Sequence, residues 1–68
     1  MNELDTYQAE IASAMARLLE ASDLLSRAYT CKTSFEFWSN LTAATSAMTE
    51  LQHELIELRS RFKRRFDV

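Results

Sequence analysis

Several short stretches carry residue types that could do chemistry. His53-Glu54-Leu55-Ile56-Glu57 has the outline of the zinc-protease helix motif, in which two histidines one turn apart hold the metal. Here Glu57 stands where the second histidine is needed. One imidazole flanked by carboxylates is a weak ligand set, and its plain reading is a solvated helix face. The chain has one cysteine and one histidine, so no Cys/His cluster is available and neither metal nor cofactor is expected. Cys31 precedes Lys32 near a helix start, a setting that lowers a thiol pKa, but no base accompanies it. Asn40-Leu41-Thr42 spells a glycosylation sequon, yet it falls inside a helical pattern. Nothing pairs a nucleophile or an acid with a base, so the chain does not read as an enzyme.

Two stretches suit binding. Arg59, Arg61, Lys63, Arg64 and Arg65 interleave with Phe62 and Phe66, a mixture of cations and stacking rings used by single-strand and RNA binders. The competing reading is cation placement at the C-terminal end of a helix, facing carboxylates on a neighbour. The net charge of −2 speaks against bulk attraction to nucleic acid. Phe35-Glu36-Phe37-Trp38 puts three aromatics into four residues, which cannot all face one partner helix. Some of these rings can close the end of a core over Leu25 and Tyr29. Others can anchor a second protein, since Trp and Tyr dominate binding hot spots.

The elements that hold these residues follow from the apolar spacing. Leu41, Met48, Leu55 and Phe62 recur every seven residues, beside a second row of Phe37, Ala44, Leu51 and Leu58. Two such rows form a coiled-coil seam. Thr33 with Glu36 three residues on fits a capping box at the start of this helix, expected over about 34–66. Upstream, Leu4, Ile11, Leu18 and Leu25 make one row, and Tyr7, Ala14, Ala21 and Ala28 its pair. Asn2 is placed to cap that helix, expected over about 3–29, or roughly 40 Å at 1.5 Å per residue.

The connection, residues 30–33, is short. Two matching seams joined this closely predict an all-α fold, an antiparallel two-helix hairpin, as one domain over residues 1–68. Leu4 should lie near Phe62 and Leu25 near Leu41. Glu3, Asp5 and Glu10 should then face the basic end of the second helix, although each exposed pair adds at most about 1 kcal/mol.

Composition bounds the rest. Glycine and proline are both absent from the 68 residues, so helix breaks are scarce. No apolar run is long enough to span a membrane, and Met1–Tyr7 is too polar and acidic for a signal peptide. With a free thiol, the expectation is a soluble cytoplasmic protein. A single core of this size rarely supplies more than roughly 3–5 kcal/mol. Without disulfide or metal, a partner chain is the remaining support. Leu19, Leu24, Tyr29, Phe35, Trp38 and Ile56 lie off the two seams, and with Phe37 they form the expected protein-binding surface.

Cys31-Lys32-Thr33-Ser34-Phe35-Glu36-Phe37-Trp38, followed by Ala43, Ala44 and Ala47-Met48, resembles the turn and second helix of YscE-type proteins. These are the small helical-hairpin subunits of the type III secretion needle-protein chaperone, and the likeness runs over about residues 15–62. The resemblance implies a cytoplasmic co-chaperone. Such a subunit binds a larger tetratricopeptide-like chaperone, and together they keep the needle protein monomeric before export. The residues alone leave a second reading open. A homodimeric four-helix bundle could bind nucleic acid through Arg59, Arg61, Lys63, Arg64 and Arg65. In either case the chain by itself is expected to self-associate.

Overall fold

With no glycine or proline to interrupt it, the backbone leaves the helical state at one internal place. A computed structural model describes residues 3–68 and contains two helices, α1 (Glu3–Thr30) and α2 (Ser34–Phe66), packed as an antiparallel hairpin. The expected Asn2 cap lies outside the described residues. Glu3 and Asp5 sit in the first turn of α1 and Lys63, Arg64 and Arg65 in the last turn of α2. Both placements complement the helix dipoles.

The turn, residues 31–33, is built from side chains in place of glycine. α1 runs one residue beyond Tyr29, and Thr30 Oγ1 donates back to the Ser26 carbonyl at 3.1 Å. The Cys31 thiol donates to the Ala28 carbonyl at 3.1 Å, so this sulfur closes a helix end. Thr33 is extended, at φ −127° and ψ 154°. Its hydroxyl accepts the Glu36 amide at 3.1 Å, which is the Thr33 half of the expected capping box. Thr33→Ala is expected to lower stability by about 1 kcal/mol, the usual value of such a cap. Thermal melts followed by circular dichroism read this as a lower midpoint with unchanged native helicity. At the far end Asp67 takes the left-handed conformation, φ 55°, and its amide donates to Lys63 O at 2.8 Å. Aspartate tolerates that region better than most residues.

The hairpin measures 49 × 19 × 12 Å. Its buried residues are Ala14, Ala21 and Ala28 from α1 and Ala44, Leu51 and Leu58 from α2. Here the structure departs from a seam closed on both rows. Leu4, Ile11, Leu18, Leu25, Met48 and Leu55 each remain 40–50% exposed. The cause is geometric. With one neighbouring helix, only the row on the line between the axes is covered, and a row 40–60° to its side is covered on one flank only.

An apolar face as the candidate interface

The half-covered rows share one side of the hairpin. In α1 the row Leu4, Ile11, Leu18 and Leu25 lies next to the buried alanines. In α2 the row Leu41, Met48, Leu55 and Phe62 lies next to Ala44, Leu51 and Leu58. Antiparallel packing turns both rows to the same face, and Leu4, Ile11 and Phe62 together line a groove of about 660 Å³ at its open end. The positions flanking the face are Gln8, Met15, Ser22 and Tyr29 on α1, and Trp38, Thr45, Gln52, Arg59 and Phe66 on α2. Arg59 is the one charge among them.

The opposite face is ionic. Arg17 spans the hairpin to Glu50 at 3.0 Å and to Glu54 at 3.1 Å. Arg61 Nη2 donates to Glu10 Oε1 at 3.0 Å, and Arg65 Nε donates to Glu3 Oε1 at 3.0 Å. Accepting that hydrogen bond, the Glu10 carboxylate raises the Arg61 pKa further above its already high ordinary value, so this cation keeps its charge at every working pH. Arg61 Nε lies 4.0 Å from Glu57 Oε1, too far for a hydrogen bond. The open-end pairs agree with the charges read from sequence. The Arg17 bridge was not anticipated; a lone cation facing two carboxylates one turn apart was its available signal.

The sequence-predicted binding residues divide accordingly. Leu19, Tyr29, Phe35, Phe37, Trp38 and Ile56 are exposed, while Leu24 is half-buried on the ionic side. Tyr29 is 90% and Trp38 68% exposed, so neither ring closes the core end. Phe35 and Trp38 instead border a shallow depression with Ser39, Thr42, Ala43 and Ser46. Sequence reasoning missed that Leu18, Leu25, Met48 and Leu55 belong to the available surface, because it closed the hairpin over them. The signal was there: large residues fill the same row in both helices while alanines fill the row beside it in α1.

The residues singled out for chemistry are otherwise occupied. Glu54 and Glu57 of the metal-like stretch face Arg17 and Arg61. Among the described residues, no group of three His, Cys, Asp or Glu side chains could hold a metal. Asn40 Nδ2 donates to the Glu36 carbonyl on its own helix at 2.9 Å. Phe62 and Phe66 stack at 4.5 Å, and both meet Tyr7 edge-on, at 5.2 and 5.9 Å. Arg59, Lys63 and Arg64 have no carboxylate partner among the described residues. Among the described residues no helix is long and apolar enough to cross a membrane. Comparison of the chain with family models, curated proteins and solved structures returns no match.

Proposed function

We propose that this chain is a binding subunit, a co-chaperone that docks its apolar face onto a larger tetratricopeptide-like chaperone in the cytoplasm. The observation that carries the reading is the contrast between the two faces. One has three cross-hairpin cations engaged by carboxylates; the other has two rows of half-covered large apolar side chains, with Arg59 and Lys63 bordering its groove at the open end. Depletion of charge around an apolar centre is what distinguishes a protein interface from ordinary surface. A concave array of helix pairs offers grooves that accept an amphipathic helix at one-turn intervals. The resemblance at residues 31–48 supplies the biological setting: the pair would hold a secretion needle subunit monomeric until export.

The nucleic-acid reading draws less support. Two of its five cations, Arg61 and Arg65, hold Glu10 and Glu3, and its two rings are packed with Tyr7.

Affinity capture of the tagged chain from its native cells, followed by reconstitution from purified components, tests the proposal. The expected result is a stoichiometric complex with a larger helical-repeat chaperone, lost on Leu55→Lys and kept on Glu20→Lys. A reconstituted complex indifferent to Leu55→Lys, or none at all, would overturn it.

A further inference from the structure

The open end of the apolar face carries two cations that the hairpin leaves unanswered. The groove there is walled by Leu4, Ile11, Leu58 and Phe62, and Arg59 and Lys63 are the only charged side chains that line it. We infer that this groove seats an acidic amphipathic helix of the partner, with carboxylates one turn apart that pair with Arg59 and Lys63. The inference rests on the proposed function in taking this face as an interface, and it deepens that reading by naming the chemistry of the segment that docks.

The other flank shows what the chain does with a cation it can answer itself. Arg17 holds Glu50 and Glu54, Arg61 holds Glu10, and Arg65 holds Glu3. Those carboxylates are engaged on the ionic face. Arg59 and Lys63 are exposed, and neither forms an ion pair among the described residues. In water each is solvated at no penalty. Under a docked helix that changes. Arg59 stands four residues after Leu55 and three before Phe62, so a helix lying on those two side chains strips water from its guanidinium. A charge desolvated without a counter-charge opposes association, whereas one that meets its opposite there fixes the register and speeds encounter. A wholly apolar helix would leave both cations unpaired.

Spacing sets the complement. Residues 59 and 63 are one turn apart on α2, about 6 Å along its axis. A helix running along the groove matches them with carboxylates at i and i+4 beside its apolar stripe. The chain as a whole carries a net charge of −2, so it repels an acidic segment at long range. The attraction belongs to this rim, and it selects where the helix lies.

Model peptides of about 18 residues, long enough to hold a helix, test this by fluorescence anisotropy against the full chain. All share one leucine stripe. The first has two glutamates one turn apart beside the stripe, the second has glutamines there, and the third has its glutamates on the far side. The first should bind about tenfold or more tighter than the others, by a margin that shrinks as salt rises. Arg59→Gln with Lys63→Gln should remove the margin and keep helicity. Arg64→Gln, which takes the same charge from outside the groove, should leave it. Equal binding of the three peptides, no binding, or a margin kept in the double variant would overturn the inference. So would self-association, or binding to phosphatidylglycerol vesicles, that the double variant abolishes while the peptides stay undistinguished. Peptide discrimination without a Leu55-dependent chaperone complex would keep this inference and remove the proposed function. A Leu55-dependent complex with undistinguished peptides would do the reverse.

Discussion

Leu51→Ala is expected to unfold the chain at low concentration. Leu51 is 5% exposed and sits between Ala44 and Leu58 in the buried row of α2. The buried row it faces is Ala14, Ala21 and Ala28, so the leucines of α2 supply nearly all the side-chain volume at the centre. Alanine cannot swing into a void, because it has no torsion that moves its methyl group. The site therefore collapses poorly, and the cost belongs in the range of about 2–5 kcal/mol seen for such truncations. A core of this size has roughly 3–5 kcal/mol in total. The loss and the reserve are of one magnitude. Leu19→Ala is the matched control. Leu19 is exposed, and truncating it should change folding stability by no more than about 0.5 kcal/mol. Urea titrations of both variants at one fixed low concentration, followed by circular dichroism, make the comparison free of mass-action effects. A cooperative transition for Leu51→Ala close to that of the parent would show that the hairpin does not depend on this row.

Trp38→Ala should do the opposite, keeping the helices and losing association. The ring is 68% exposed, so its removal opens no internal cavity and the penalty for a buried tryptophan does not apply. It flanks the apolar face beside Leu41, one position past Phe37. A tryptophan fully desolvated by a partner as a hot-spot anchor is worth about 2 kcal/mol or more of binding, at least tenfold in the dissociation constant. The measurement is paired: helicity and melting on one side, affinity for the larger partner on the other. Lost helicity would mean that the ring supports the fold. Unchanged affinity with an intact fold would make Trp38 a bystander. Phe35→Ala, about one turn before Trp38, reports whether the shallow depression that both rings border belongs to the same contact.

These variants separate what the chain encodes locally from what packing decides. Two helices, their antiparallel sense and the start of α2 were legible in the residues. A period of seven in both halves, no residue able to break a helix, and Thr33 three positions before Glu36 are local facts. Their consequences need only backbone sterics and one hydrogen bond, here Glu36 N to Thr33 Oγ1 at 3.1 Å. The open-end ion pairs were legible too, since antiparallel register brings Glu3 and Glu10 to the level of Arg65 and Arg61.

What periodicity could not say is how far a row is covered. Two rows per helix look alike in sequence, and both read as seam. Burial depends on the direction of the neighbour's axis, which is a tertiary quantity. With one neighbour, Ala21 falls to 1% exposure while Leu18, three residues earlier, keeps 50%. The sequence by itself determined two amphipathic helices and the Thr33 cap of the second. The packing decided that one flank of the seam would be locked by Arg17, Arg61 and Arg65, and that the other would stay open. An ion pair closes its side because both charges gain by meeting across the hairpin. An apolar flank has no such partner within the chain, and only a further helix surface can remove it from water.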